Sequence, residues 1–289
     1  MSENKLIITA ASKVFGPSVL ALIGSIYANW PGHPDILVYD LGLDENTLDF
    51  LNKNHIRTKK VPEFCQHWRY HFTWKFWCWN DCPTDNFLWL DAGTCVLRPL
   101  DIIFEAIQKH NYFILPTYHD LIENASEKAC EGCNVEPDFR IDKMTLAATI
   151  FGANKKTSMG SFIKEALSVS LVEDHIKATH PLHRHDQAIF SLLFYKMFGE
   201  PILSDGITYG GWTTPFQTPS QKIWVQRRTM VKEDLENLKN NIVTKELRNY
   251  IPQIPVKKKT PFNIILKQFF YQLIYPERSN KRIPNGKYD

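Results

Sequence analysis

The first half of the chain alternates short apolar runs with segments whose apolar residues recur at helical spacing. Residues 5–11 and 36–39 are apolar runs of strand length. Between them, Gly16 and Pro17 precede apolar side chains at helical spacing, and Pro17 suits a first helical turn. Asp44 is a typical N-cap residue for a second helix. This β-α-β-α order predicts a parallel sheet covered by helices.

The same two patterns continue to about residue 200. They predict three more strands and three more helices: strands at 86–90, 112–115 and 145–152, and helices at 100–110, 161–177 and 186–198. Residues 117–143 are polar and lack a period, so we expect an irregular loop, and a loop of that length usually has a function. Two prolines and a lysine run follow, and we therefore divide the chain into a domain at 1–255 and a tail at 256–289.

Composition is that of an ordinary globular protein. The chain has 289 residues, of which 44% are hydrophobic and 22% charged, values that exclude disordered and fibrous proteins. Uncharged apolar runs stay shorter than the roughly 18 residues of a membrane-spanning helix. The first ten residues lack the regions of a signal peptide. We therefore expect a cytoplasmic protein.

Charge is divided unevenly between body and tail. Residues 256–289 contain eight basic and two acidic side chains, a net charge of +6, whereas the remaining 26 basic and 29 acidic side chains give −3. The body therefore lacks the basic footprint of a nucleic-acid-binding protein. Within the tail, five apolar side chains share one helical face: Phe262, Ile265, Leu266, Phe269 and Leu273. A basic amphipathic helix of this kind binds anionic membrane surfaces; the alternative is a C-terminal helix packed on the body.

Six cysteines are present, and a cytoplasmic protein keeps them as thiols. The alternative is a zinc site formed by two pairs, Cys78 with Cys82 and Cys130 with Cys133. Only the second pair has the usual spacing for zinc.

Two carboxylates and two cations are the candidates for chemistry. Asp40 and Asp91 each follow a predicted strand, and ligands of open α/β sheets bind at that edge; the alternative is that they cap loops. Arg69 and Lys75 lie in a segment rich in aromatic residues, which predicts a helix packed on the sheet. Two cations in such a segment must reach solvent, a polar partner or a ligand, and phosphate is the favoured ligand.

Four segments resemble one enzyme family. Residues 87–100 (FLWLDAGTCVLRPL) resemble the Leu-Asp-Ala-Asp strand end of GT-A glycosyltransferases, in particular the glycogenin-like type and its Asp-Ala-Gly relatives. Residues 37–43 (LVYDLGL) resemble the second strand of these relatives, and Trp74-Lys75 resembles their basic motif. Residues 183–187 (HRHDQ) resemble their Asp-Gln motif. The resemblance covers about residues 5–200 and implies an α/β fold with a mixed, mostly parallel sheet flanked by helices.

The resemblance also implies a function. It indicates a hexosyltransferase that takes a nucleotide-diphosphate sugar and transfers the sugar to a glycan or lipid-linked hydroxyl in surface polysaccharide biosynthesis. By resemblance, the catalytic candidates are Asp91, Asp186 and Gln187. By resemblance and position, the donor-binding candidates are Thr9, Ala10, Ala11, Asp40, Arg69, Lys75, Gly93 and Trp212. Asp186 has an alternative role as an N-cap, and the choice between retaining and inverting chemistry stays open.

Gly93 departs from the family pattern. The family holds Mn²⁺ or Mg²⁺ between two acids spaced Asp-x-Asp, and Gly93 replaces the second acid here. Either Asp91 holds the metal with fewer partners, or a cation such as Lys75 or Arg69 takes its place. The departure also leaves open a non-catalytic nucleotide-sugar-binding protein. A sugar-phosphate nucleotidyltransferase is disfavoured because a Gly-rich basic loop does not follow Thr9.

The tail supports a direct test. If it binds membranes, each basic residue contributes about 1 kcal/mol at an anionic surface. We expect the intact protein to sediment with anionic vesicles and to be released at 1 M salt, where the Debye length is about 3 Å. A chain ending at Pro255 should stay folded and lose vesicle binding. Unfolding of the shortened chain would instead assign the apolar stripe to the core.

Overall fold

A six-stranded sheet organises the molecule. The computed structural model describes residues 5–177, 179–180, 182–202, 208–211 and 221–225. The strands are β1 (Lys5–Ala11), β2 (Asp35–Asp40), β3 (Arg57–Lys60), β4 (Asn86–Leu90), β5 (Thr94–Val96), β6 (Tyr112–Phe113), β7 (Pro116–Asp120), β8 (Met144–Leu146), β9 (Ile150–Asn154), β10 (Thr208–Gly211) and β11 (Gln221–Val225). The helices are α1 (Gly16–Asn29), α2 (Glu45–Lys53), α3 (Thr73–Asp81), α4 (Asp101–His110), α5 (Leu121–Asn124), α6 (Glu127–Gly132), α7 (Ser158–Ser170), α8 (Glu173–Ile176) and α9 (His185–Phe198).

The main sheet has the order β3-β2-β1-β4-β9-β6. Its first four strands are parallel, and β9 runs antiparallel to both of its neighbours. Helices cover both faces, so the expected mixed and mostly parallel sheet is confirmed. Two small sheets, β10-β11-β5 and β7-β8, complete the described part of the chain.

Alternate residues of each central strand enter different cores. In β1, Leu6 and Ile8 belong to the core under α3, α7 and α9, whereas Ile7 belongs to the core under α1 and α4. In β4, Trp89 faces the first core and Leu90 the second. Both faces of the sheet are thus buried, which explains why these strands are continuous apolar runs instead of alternating ones.

The carboxyl ends of β2, β1 and β4 meet at one edge. The strand register pairs Ala11 with Asp40 and Ile8 with Trp89, so Asp40, the last residue of β2, and Asp91, directly after β4, lie at the ends of the two strands that flank β1. Adjacent strands lie about 4.8 Å apart, and Asp40 and Asp91 are separated by two such steps, or about 10 Å. The sheet therefore places them at the edge where ligands of this fold class bind.

The first helices begin as predicted. Pro17 lies in the first turn of α1, and Asp44 caps α2 by accepting a hydrogen bond from Thr47 N–H at 3.0 Å. Strand β3 was missed because all four of its residues are exposed and carry no apolar pattern. It joins the sheet through backbone pairing with β2 alone.

The expectation of an irregular loop at residues 117–143 is wrong. The segment contains most of β7, the helices α5 and α6, and a short 3₁₀ turn at Pro137–Arg140. Ser126 caps α6 by accepting from Ala129 N–H at 3.1 Å. Elements of four to six residues are too short to show a sequence period, which is why they were not predicted.

Two other predicted elements are divided in the structure. The strand expected at 145–152 is two strands, β8 and β9, which belong to different sheets. The helix expected at 161–177 begins earlier, after the N-cap Thr157, and ends at Ser170 before the separate short helix α8.

The zinc alternative is not formed. The cysteines of both pairs are free thiols buried in the core under α3, α7 and α9. Within the described ranges, His, Cys, Asp and Glu side chains do not gather in groups of three or more that could hold a metal ion. Separately, the described helices are too short or too polar to cross a membrane. The tail and the boundary at residue 255 lie outside the described residues.

A buried histidine fixes the segment before α9. The backbone N–H of Ser126 donates to Nδ1 of His183 at 3.1 Å, and Nε2 of His183 contacts the carbonyl of Ile176 at 3.1 Å. This arrangement requires the neutral ring, because protonation of Nδ1 would remove the acceptor for Ser126 N–H. The pKa of His183 is lowered to about 4, chiefly by burial; the hydrogen bond with Ile176 opposes this shift, and the nearby rings of His185 and His180 add to it.

His183 therefore predicts an acid-sensitive fold. The unfolded chain takes up a proton near pH 6.5 and the folded chain only near 4, so the stability given by neutral His183 is complete above pH 6.5 and is lost as the pH falls toward 4. The loss should reach about 2–3 kcal/mol. We expect urea unfolding at pH 7 and 4.5 to show a smaller drop for His183→Gln than for wild type. The control variant His110→Gln, at the half-buried C-terminal residue of α4, should behave as wild type, and equal drops in all three proteins would contradict the assignment.

Candidate functional site

One ammonium group joins three elements at the carboxyl edge of the sheet. Nζ of Lys75, on α3, lies 3.1 Å from Oδ1 of Asp91 and 2.8 Å from Oδ2 of Asp186. It also donates to the carbonyl of Ala148 at 3.2 Å. Asp91 follows β4, and Asp186 lies in the first turn of α9. We call Lys75, Asp91 and Asp186 the ion triad.

The helix dipoles explain why Lys75 needs a carboxylate partner and why Asp186 suits its position. Lys75 lies in the first turn of α3, where the helix dipole disfavours a cation. Asp186 lies in the first turn of α9, where the dipole favours an anion. The N-cap of α9 is Arg184, so the alternative of Asp186 as an N-cap is wrong. Its carboxylate contacts Lys75 instead.

The backbone is strained at the starts of both helices, α3 and α9. Phe72, the N-cap of α3, has φ 63°, and His71 before it has φ 58°. His185, the first residue of α9, has φ 43°. Non-glycine residues rarely adopt this left-handed region, and such strain gathers at functional sites. The rings of His71 and His185 stack at 5.2 Å, which holds the two starts together.

The two carboxylates of the triad keep Lys75 protonated. Burial alone would lower the pKa of Lys75, but Asp186 and Asp91 together raise it well above its usual range. Lys75 is therefore an ammonium at neutral pH. Burial raises the pKa of Asp91; Lys75 opposes this shift and Asp186 adds to it.

Asp91 is the triad member that reaches solvent. Its side chain is 30% exposed, against 7% for Asp186 and 4% for Lys75. Oδ1 of Asp91 also accepts from Nε1 of Trp89 at 2.8 Å. The Asp91 carbonyl accepts from the hydroxyl of Thr94 at 2.7 Å, which closes the tight turn that contains Gly93. The turn and the indole hydrogen bond hold the Asp91 carboxylate at the open edge of the sheet.

A second feature is a cleft of about 340 Å³ at the ends of β2 and β3. Its lining includes Asp40, Lys60 and Arg69. Oδ1 of Asp40 accepts from the backbone N–H groups of Gly42 (2.7 Å) and Leu43 (2.6 Å), so this residue caps its loop, as the alternative held. It does so while lining the cleft.

Arg69 is an exposed cation at this cleft. Its guanidinium lies 4.7 Å from the centroid of the Trp68 ring, close enough to stack on it. A Cβ on Gly42 would lie 3.5 Å from this guanidinium, and Gly42 has φ 104°. Gly42 therefore lets the loop turn back toward Arg69.

The remaining predicted residues are Thr9, Ala10, Ala11, Gln187 and Trp212. Thr9, Ala10 and Ala11 are buried at the end of β1, and the Thr9 hydroxyl lacks a hydrogen-bond partner among the described residues. Gln187 is half-buried beside Asp186 on α9. Trp212 lies outside the described residues.

Sequence reasoning missed several contributors: Trp89, Ala148, Lys60 and Phe72. Trp89 precedes Asp91 by two residues, a spacing that places both side chains on one face of an extended segment and could have suggested the contact. The carbonyl of Ala148 carries no sequence signal because any residue has one.

The carboxylates do not fit a divalent metal held by Asp91. Both oxygens of Asp91 lie within 3.4 Å of Nζ of Lys75, and Oδ1 is shared with the Trp89 indole. Gly93 supplies no second carboxylate. A metal bound here would stand beside a buried ammonium, which its charge disfavours.

Comparison with known proteins shows the fold. No protein-family model and no curated protein matches this sequence. Solved structures do match. The apo structure of the bifunctional glycosyltransferase WbbM has a TM-score of 0.59 at 14% identity, covering 88% of this chain and 52% of that one. The galactosyltransferase LgtC with donor and acceptor sugar analogs has a TM-score of 0.54 at 15% identity, covering 85% and 99%.

A third match is the apo form of mouse xyloside xylosyltransferase 1, with a TM-score of 0.50 at 10% identity, covering 77% of this chain and 96% of that one. This chain therefore spans about half of WbbM and nearly all of LgtC and the xylosyltransferase. At these identities the similarity shows the fold alone. The expected GT-A fold is confirmed.

Proposed function

We propose that this chain is a glycosyltransferase. It moves a sugar, a hexose by resemblance, from a nucleoside-diphosphate donor to a hydroxyl of a glycan or lipid-linked acceptor in surface polysaccharide biosynthesis. The observation that carries the proposal is the ion triad at the carboxyl edge of the sheet, with one partly exposed carboxylate after β4 and a cleft that contains cations at the ends of β2 and β3 on the same edge. A GT-A fold alone would not be sufficient, because folds host many functions.

The cleft suits the nucleoside diphosphate. Arg69 is exposed and preorganised by its stacking on Trp68, and an arginine fork matches phosphate oxygens. Lys60 adds a second cation at the same cleft. By resemblance, Thr9, Ala10 and Ala11, which are buried at the end of the neighbouring strand, would lie behind the base and ribose. We assign donor binding to this part of the edge.

The triad suits the reacting sugar. In transfer, the bond between the anomeric carbon and the phosphate oxygen breaks and the diphosphate takes the electron pair. The acceptor oxygen bonds to that carbon, and its proton passes to a base, for which the departing diphosphate is available. Asp91 is the partly exposed member of the triad, and its carboxylate would accept hydrogen bonds from sugar hydroxyls. Lys75 and Asp186 are buried and act through Asp91 as positioning residues. Gln187 follows Asp186 at the start of α9, from which its amide would contact the donor or acceptor.

Two observations support the outer part of this site. Phe72 is exposed, and its ring centroid lies 5.6 Å from Nζ of Lys75, so the ring offers a stacking face for an acceptor sugar beside the triad. A solved LgtC structure is described as an active-site mutant in which glutamate replaces glutamine. Gln187 belongs to the motif that resembles this family, which supports its place in the site.

Asp91→Asn tests the function. The asparagine keeps an oxygen for the Trp89 indole, and Asp186 still pairs with the buried Lys75, so the fold should survive while the charge of Asp91 is lost. With a panel of nucleotide sugars, we expect transfer or donor hydrolysis to fall by about 100-fold or more. Asp35→Asn, at the opposite end of β2, should leave the rate unchanged.

Circular dichroism should show that both variants are folded. Near-normal turnover in folded Asp91→Asn would remove Asp91 from the site. Donor binding by the wild type without any turnover would favour the non-catalytic alternative, which the Asp-Ala-Gly sequence motivates.

Arg69→Ala tests donor binding separately from catalysis. A hydrogen bond to a charged group contributes about 1.5–3 kcal/mol, so nucleoside diphosphate should bind about tenfold more weakly or worse, while the nucleoside alone changes little. Calorimetric titration with both ligands gives the ratio. The matched control is Arg57→Ala, which removes an exposed arginine of β3 paired with Asp35. Equal weakening of both ligands by Arg69→Ala would contradict a phosphate contact.

A further inference from the structure

We propose that the Lys75 ammonium occupies the position of a divalent cation, so that the ion triad works without a bound metal. The catalytic part of this inference rests on the proposed glycosyltransferase function, whereas its metal-binding part is independent of any activity. The sequence left two alternatives open at Gly93: Asp91 holds a metal with fewer partners, or a cation of the protein replaces the metal. The inference chooses the second.

The surroundings of the ammonium form an oxygen cage. Oxygens of Asp91, Asp186 and Ala148 lie within 3.2 Å of Nζ, and they come from three separate parts of the fold. Carboxylate and carbonyl oxygens converging on one point are the ligands that Mg²⁺ and Mn²⁺ prefer. Here the centre of the cage is a side chain of the protein.

Lys75 is held in this position. The residue is 3% exposed, and its Nζ lies between 5.6 and 5.9 Å from the ring centroids of Phe72, Trp74 and Trp89. These rings add cation–π attraction and exclude water from one side of the ammonium. The pKa shift of Lys75 has the matching direction, because its carboxylates keep it protonated.

A metal beside the ammonium is equally disfavoured. A cation bonded to Oδ1 of Asp91 at about 2.1 Å would stand no more than about 5 Å from Nζ, because that oxygen is 3.1 Å from it. Like charges at this distance repel each other, and the ammonium side of this contact is buried. The single positive charge also suits Gly93, since one ammonium needs fewer carboxylates than a divalent ion.

The test is to remove the ammonium and look for metal. Lys75→Met keeps an unbranched side chain but leaves two carboxylates and a carbonyl facing each other. We titrate Mn²⁺ into the full-length protein without nucleotide and follow free Mn²⁺ by electron paramagnetic resonance. We expect Lys75→Met to bind one Mn²⁺ at least tenfold more tightly than wild type. The double variant Lys75→Met/Asp186→Asn should lose this gain.

A matched control separates the cage from general carboxylate binding. Lys59 pairs with Asp81 at 2.8 Å on the surface, and its side chain is 49% exposed. Lys59→Met also frees a carboxylate, yet it should not create a Mn²⁺ site. A folded Lys75→Met that binds Mn²⁺ no better than wild type would overturn the proposal.

The wild-type protein supplies the remaining outcomes. If Lys75→Met does not fold, the wild-type titration decides: tight Mn²⁺ binding that Asp91→Asn abolishes overturns the proposal, and its absence supports it. With any donor that the wild type uses, the rate should be the same with and without EDTA, and a rate that EDTA abolishes and Mn²⁺ restores would overturn the proposal. If no donor is used, the glycosyltransferase proposal fails while the Mn²⁺ titrations still test the cage.

Discussion

The burial of one ammonium between two carboxylates is the constraint on which the site depends. An unpaired charge in a protein interior is very costly, and removing one partner of a buried pair typically costs about 3–5 kcal/mol. Lys75 therefore forces the end of β4 and the start of α9 to meet the start of α3. At the starts of α3 and α9, where these segments come together, residues adopt the strained left-handed conformation.

The aromatic core beneath the triad keeps this geometry rigid. Trp79 of α3 contacts Phe151 of β9 at 4.7 Å between ring centroids, and Phe151 contacts Phe190 of α9 at 5.1 Å. Phe162 of α7 joins the same group at 5.5 Å from Phe190. Tilted and edge-to-face rings of this kind add to the stabilisation from burial. The helices that carry Lys75 and Asp186 are thus fixed to the sheet and to each other.

The charges along the sheet edge are divided in a way that fits one ligand. The β2 and β3 ends present Arg69 and Lys60, whereas the β4 end presents the exposed carboxylate of Asp91. A molecule that is anionic at one end and rich in hydroxyl groups at the other matches this division. The similarity to solved glycosyltransferases concerns the fold, and the proposed function therefore rests on these side chains.

The sequence by itself determined the elements that have a strong local signal. The apolar runs of β1, β2 and β4, the proline of α1 and the cap at Asp44 follow from neighbouring residues, and so does the position of Asp40 and Asp91 after buried strands. The exposed strand β3 and the short elements of residues 117–143 lack such a signal. Tertiary structure alone decided that Lys75 meets Asp186 and that Ala148 supplies the third oxygen. Periodicity reports only the face of an element that is buried, whereas the pairing of charges from distant segments is decided when those elements pack.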